Sequence, residues 1–295
     1  MANTMTSATN YEYTMFGRKY RLAKLDTLLR KALVAEKICE VNRTSEKWIN
    51  SPYGSQPVAT VNTSLLGTYT PATFTVTDDT LVVTDEVVVG EHVHGFESAL
   101  NKFDFIENRR DEQDNAVRTA IDIWVLNELC EGGNATYQTP AGGFTTPANV
   151  IPILANLLSK VAGYRNTYAG LYLVVENTDL PGLVQAFGAA GFNTADSWLK
   201  NGWIGNQMGI DFYLVRTGTF IDATTTAASG TKTWSNLNHR VFGVKGAAMY
   251  AAPRGIEFSQ FKRTGYTGYE ISTEAYMGFK QWVSTQDLTV DITLA

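Results

Sequence analysis

Between Trp48 and Asn101 the chain has neither lysine nor arginine, although it carries six acids there. Residues 1–47 are the reverse, with nine Lys/Arg against five Asp/Glu. The net charge of −5 over 295 residues supplies no general basic field, which argues against a non-specific nucleic-acid binder. Two cysteines, Cys39 and Cys130, cannot form a disulfide framework for a chain of this size, so two reduced thiols in a protein made in a cytoplasm are expected. Histidine is scarce as well. His92 and His94 in "EHVHG" share one face of an extended chain, but Glu91 faces away and no cysteine or third histidine lies nearby in sequence, so no metal site is assigned. His239 has no serine or cysteine motif beside it. Walker A, G-x-S-x-G and H-E-x-x-H sequences are all missing, and "GYTGYE" and "GGFTTPAN" lack the strand-to-helix context that phosphate binding needs. No catalytic residue and no cofactor is expected. Nor does "MANTMTSATNYEY" place a charged segment before an apolar run, and no run of about 18 apolar residues occurs, so neither a secretory signal nor a membrane span is expected.

What is present is ordinary globular composition, 44% hydrophobic and 18% charged, in a chain long enough for one large domain or two. Residues 21–41 place Leu22, Leu25, Leu29, Ala32 and Leu33 on one helical face, with Arg21, Lys24, Arg30, Lys31 and Lys37 mostly elsewhere. This reads as a basic amphipathic helix behind an aromatic arm (Tyr11, Tyr13, Phe16, Tyr20). Its apolar face lacks an aromatic anchor, which favours packing on its own fold or a sister subunit over a membrane. From 48 to 92 the chain reads extended. "PVATVNTSLL" and "ATFTVTDDTLVVTDEVVVG" flank the turn signal "GTYTP", predicting one hairpin of about 40 residues, far beyond ordinary strand length. An isolated hairpin is marginally stable, so this one is predicted to rest on another surface.

A long helix follows over about residues 105–131. Asp104 and Glu107 fit a capping pattern, and Gly132-Gly133 stops the run. Its first half is polar all round, and its second half is apolar, with Val117, Ile121 and Trp124 predicted in the core. Residues 132–149 read as a Gly/Thr/Pro linker, and 217–238, with seven threonines in 217–233, as an exposed loop. Between them helix and strand alternate. Beyond 253 the apolar–polar alternation predicts three short strands.

A helical arm, a long hairpin, a long helix, an α/β region and a return to strands, in this order, resemble the HK97-fold major capsid proteins of tailed bacteriophages. "GNQMGIDFYLVRTG" (205–218), "VFGVKGAAMYAAPRGIEFSQFKR" (241–263) and "ISTEAYMGFKQWVSTQDLTVDI" (271–292) are similar to late A-domain and closing P-domain passages of that family. The resemblance implies an α+β, HK97-like capsid fold with an N-terminal arm (1–47), an E-loop (48–92), a P-domain with its spine helix (93–147 and 253–295) and an A-domain (148–252). It implies a subunit of pentamers and hexamers in an icosahedral or prolate shell. That shell is assembled in a host cytoplasm and encloses DNA without sequence-specific binding and without a membrane. A separate scaffolding protein, a portal and a decoration protein are the implied partners. Phe74, Val76, Asp78, Asp79, Asp85 and Glu86 would make E-loop contacts between subunits, and Lys24, Arg30 and Lys31 would make N-arm contacts with a subunit or scaffold. Some relatives weld their shells through an E-loop lysine. The hairpin here has none between Lys47 and Lys102, which excludes that reaction. An encapsulin-type bacterial nanocompartment shell is the alternative within the same fold, and a β-rich surface protein is the alternative outside it.

Overall fold

The computed structural model describes residues 33–54, 73–94, 105–133, 135–161, 170–189, 203–227, 230–262, 265 and 267–295. In chain order these form α1 (Ala35–Ile38), β1 (Glu40–Asn42), β2 (Trp48–Gly54), β3 (Val76–Val82), β4 (Asp85–His94) and α2 (Phe105–Gly132). Next come β5 (Ala135–Gln138), α3 (Pro147–Lys160), β6 (Leu171–Glu176), α4 (Leu180–Ala189), β7 (Trp203–Gln207) and β8 (Ile210–Val215). Then come β9 (Asp222–Ala227), β10 (Gly230–Ser235), β11 (His239–Val244), β12 (Ala248–Ala251), β13 (Ile256–Phe261), β14 (Gly268–Gln281), a short 3-10 helix (Val283–Leu288) and β15 (Thr289–Thr293).

Two sheets share α2. The first is six-stranded, in the order β5-β15-β11-β6-β8-β7, with parallel pairs β15/β5 and β6/β8. β6 is buried throughout, and its alternation sends Leu173 and Val175 to one face and Tyr172 and Val174 to the other. The first face packs on α3 and α4 through Ile153, Leu154, Leu157, Leu183 and Phe187. The second packs on α2 through Val117, Ile121 and Val125. Gly182 allows the α4 contact, because a Cβ there would stand 2.1 Å from the Phe144 carbonyl oxygen. The second sheet is built on β14, which pairs with β4 along residues 268–277, with β13 along 270–275 and with β12 along 278–281. Ala275 and Met277 of β14 point into the same core as α2.

With 28 residues, α2 is about 42 Å long at 1.5 Å per residue. Its C-terminal half buries Val117, Ile121, Trp124, Val125, Leu126 and Leu129. The polar N-terminal half lies against a polar neighbour. Arg109 Nε donates to Glu91 of β4 at 2.8 Å, and Gln113 is buried and accepts from Thr273 Oγ1 at 2.9 Å. Further along, Asp122 accepts from the N–H groups of Val34 and Ala35, satisfying the start of α1, whose orphan donors favour a carboxylate.

Several expectations need correction. The helix predicted to reach residue 41 ends at Ile38: Cys39 is extended, and Glu40–Asn42 pair with β12 in parallel. The supposed 132–149 linker contains β5 and a buried Phe144. The threonine-rich 217–238 segment forms the β9–β10 hairpin, whose Trp234 is buried and meets Trp124 edge-on at 5.1 Å between ring centroids. Threonine suits a half-buried strand as well as a loop, and its neighbours decided the outcome. Trp124→Ala removes that contact and leaves a cavity, with an expected loss of about 3–5 kcal/mol in urea denaturation of the purified protein. A loss below about 1 kcal/mol would show that the site collapses freely.

Candidate assembly surface

β2 and β3 form a two-stranded sheet, in register from Trp48 opposite Val82 to Gly54 opposite Val76. Such a ribbon needs an attachment. Leu81, 1% exposed, supplies one by packing with Ile49, Met249, Ala251 and Trp282. Strand alternation puts Asp79 on the same face as Leu81. Its carboxylate accepts from the Val283 N–H at 2.9 Å and from Lys280 Nζ at 3.0 Å. Burial alone would raise the Asp79 pKa, but the Val283 hydrogen bond and the Lys280 cation outweigh it and hold the carboxyl below its ordinary value. The hairpin base is thus clamped to the start of the segment that follows β14.

The outward side is different. Thr80 Oγ1 donates to Asn50 at 2.9 Å, while Trp48, Phe74 and Val76 are 60%, 69% and 59% exposed. The Phe74 ring lies across Gly54, where a Cβ would come within 2.4 Å of it. From Ile49 through Thr77 the sequence has no Asp, Glu, Lys, Arg or His. Among the described residues, Trp48, Phe74 and Val76 thus give the ribbon an outward apolar patch, a surface suited to another macromolecule.

The structure divides the predicted hairpin residues. Phe74, Val76 and Asp78 are exposed on β3 or just before it, whereas Asp79 is bound within its own chain and is not a free acid at a tip. Asp85 and Glu86 do not belong to the ribbon at all. After Val83 and Thr84 the chain enters β4, which pairs with β14, so that Asp85 is buried opposite Met277 and Glu86 is exposed opposite Tyr276. The single hairpin expected over 48–92 is therefore two elements, because β14 competes successfully for the valine-rich half. The proposed turn at 67–71, the capping Asp104 and the N-arm residues Lys24, Arg30 and Lys31 lie outside the described residues.

The outer face of the β4–β14–β13 sheet is acidic. Glu86, Glu257, Glu270 and Glu274 occupy its outward positions, with Glu257 directly opposite Glu274. The Tyr276 hydroxyl, beside Glu274 and Glu86, is raised above its ordinary pKa by those charges. Sequence reasoning missed the Asp79 clamp and this face. An acid two residues from a core leucine on a strand was the available signal for the first. Among the described residues no helix is long and apolar enough to cross a membrane.

No protein-family profile matches the sequence, and no curated protein matches it. Solved structures do. The capsid of cyanophage P-SCSP1u matches with a TM-score of 0.68 at 14% identity, covering 90% of this chain and 89% of that one. The mature capsid of bacteriophage PhiM1 matches at 0.67 and 8% identity, covering 90% and 87%. The capsid of a native GTA particle matches at 0.62 and 12% identity, covering 90% and 91%. A mixed α+β chain with its long helix shared between two sheets and a hairpin clamped at its base, this protein has the HK97-like fold of those capsid structures.

Proposed function

We propose that this chain is the major capsid protein of a tailed bacteriophage. The observation that carries this reading is the near-complete overlap in both directions with capsid chains. The apolar hairpin fits it. In this reading β2–β3 with the segment between them is an E-loop lying on a neighbouring subunit, α2 is the spine helix of a P-domain built on β14, and the six-stranded sheet is the A-domain. Many copies close into pentamers and hexamers around DNA that the acidic subunit does not grip, in a virion built in the host cytoplasm. Scaffolding, portal and decoration proteins are the partners such a shell calls for. A phage shell is preferred to a nanocompartment because phage capsids stand at the higher similarities.

Expression of the chain, alone or with the neighbouring genes, and electron microscopy of the product test this. Closed particles containing DNA are the expected result. Elution only as monomer or dimer under every condition, without particles, would exclude a shell, and particles filled with an enzyme would replace the phage reading. Phe74→Ala and Val76→Ser should leave the subunit folded yet weaken each contact by on the order of 1–2 kcal/mol. Because the contact repeats throughout a shell, particle yield should fall steeply. Normal yield in both variants would remove the exposed hairpin face from the interface.

A further inference from the structure

Cys130 stands in the last turns of α2, His239 opens β11 and Asp291 lies in β15. β11 pairs with β15 so that His239 faces Thr293 and Val241 faces Asp291, which makes His239 and Asp291 diagonal neighbours. His239 Nδ1 lies 2.8 and 3.0 Å from the two Asp291 oxygens. One ligating atom from each of the three residues falls within 4.8 Å of the others. We propose that Cys130, His239 and Asp291 form a binding site for a divalent metal ion of the zinc class.

The donor set is one sulfur, one nitrogen and one oxygen, which a borderline-soft ion such as Zn²⁺ accepts and a hard ion such as Mg²⁺ does not. Bonds of 2.0–2.3 Å in a tetrahedron set ligand atoms roughly 3.3–3.8 Å apart, so the three groups need only small adjustments. The His239–Asp291 contact, now bridged by a proton, opens by roughly 0.5–1 Å when a metal takes its place. Three secondary-structure elements supply the ligands, and their packing is fixed by the buried flanking residues Leu129, Val290 and Ile292. Cys130 and Asp291 are buried, while His239 is partly exposed and gives an ion and a fourth, water ligand access from one side.

The nearby Arg240 does not fill the site, because its guanidinium is held by Glu176 and Asp179. Such an ion would fasten the end of α2 to the two strands that close the six-stranded sheet.

The full chain, stripped with chelator and dialysed, should be titrated separately with Zn²⁺ and Co²⁺. The expected result is one ion per chain, a thiolate-to-cobalt charge-transfer band in the near ultraviolet and a higher melting temperature with Zn²⁺. Cys130→Ser should abolish the band, and the other cysteine, buried Cys39, cannot replace it. His239→Gln, at the exposed rim, should lower affinity by roughly 100-fold while the metal-free protein keeps its circular dichroism spectrum. Failure to bind one ion per chain, cobalt binding without the band, or a folded His239→Gln variant of unchanged affinity would each overturn the proposal.

Discussion

Replacing Arg240 with alanine is expected to cost about 3–5 kcal/mol, a large share of a domain's total stability. Its guanidinium is 3% exposed, with Nε donating to Asp179 at 2.6 Å, one Nη to Glu176 at 3.1 Å and the other to the His239 carbonyl at 2.7 Å. Glu176 in turn accepts from the N–H groups of Gly218, Thr219 and Phe220 through its other oxygen. Asp179 also accepts from the Glu176 N–H, which shapes the turn leading into α4. One cation therefore ties β6, the 216–220 turn, the approach to α4 and β11 together. Without it two carboxylates stay buried with no counter-charge, and the lost cation contact with the Phe220 ring at 5.4 Å adds to the deficit. Urea denaturation of the purified protein at pH 7 checks this. A loss under about 1 kcal/mol would refute the account.

Local signals in the sequence marked helices and buried strands but not the partners of exposed ones. α2 carries its own capping and stop signals, and it forms close to where the pattern puts it. The valine- and threonine-rich run 73–93 was not legible. Nothing within it says that Val76–Val82 will pair with Trp48–Gly54 while Asp85–His94 will pair with a strand near the C-terminus. Strand pairing is a competition among distant segments, and β14, fourteen residues long, offers edges to three of them. Trp234 was lost for a similar reason, because a polar hairpin becomes structured only when Trp124 is there to receive its one large ring. Polar clusters were the least legible. Arg240, Glu176 and Asp179, like Cys130, His239 and Asp291, meet only after the six-stranded sheet is assembled, and no spacing announces either group.

Asp79→Ala is expected to lower the stability of the chain by about 1.5–3 kcal/mol and, in the proposed shell, particle yield by far more. Two interactions are lost, and they differ in worth. Lys280 is 35% exposed, so its ion pair is screened and accounts for about 0–1 kcal/mol, the loss expected of Lys280→Ala. The charged hydrogen bond from the Val283 N–H is the larger part. Asp79→Asn, which still accepts from Val283, should recover most of the stability. Because the folded pKa of Asp79 is depressed, its contribution is complete above an unfolded aspartate's value of about 3.9 and is lost as pH falls through the lower folded value. The wild-type protein should therefore lose this increment on acidification while the alanine variant does not. In the proposed shell, assembly would amplify the effect. The clamp sets the direction in which the ribbon leaves the body, and a ribbon free to swing would have to be ordered anew at every contact. Asp78→Ala provides the contrast, since Asp78 is exposed opposite Pro52 and its removal should change subunit stability by less than about 0.5 kcal/mol. Lower particle yield with Asp78→Ala would then mark a direct contact with a neighbour. Wild-type yield and stability with Asp79→Ala would show that Leu81 and its apolar neighbours hold the hairpin by themselves.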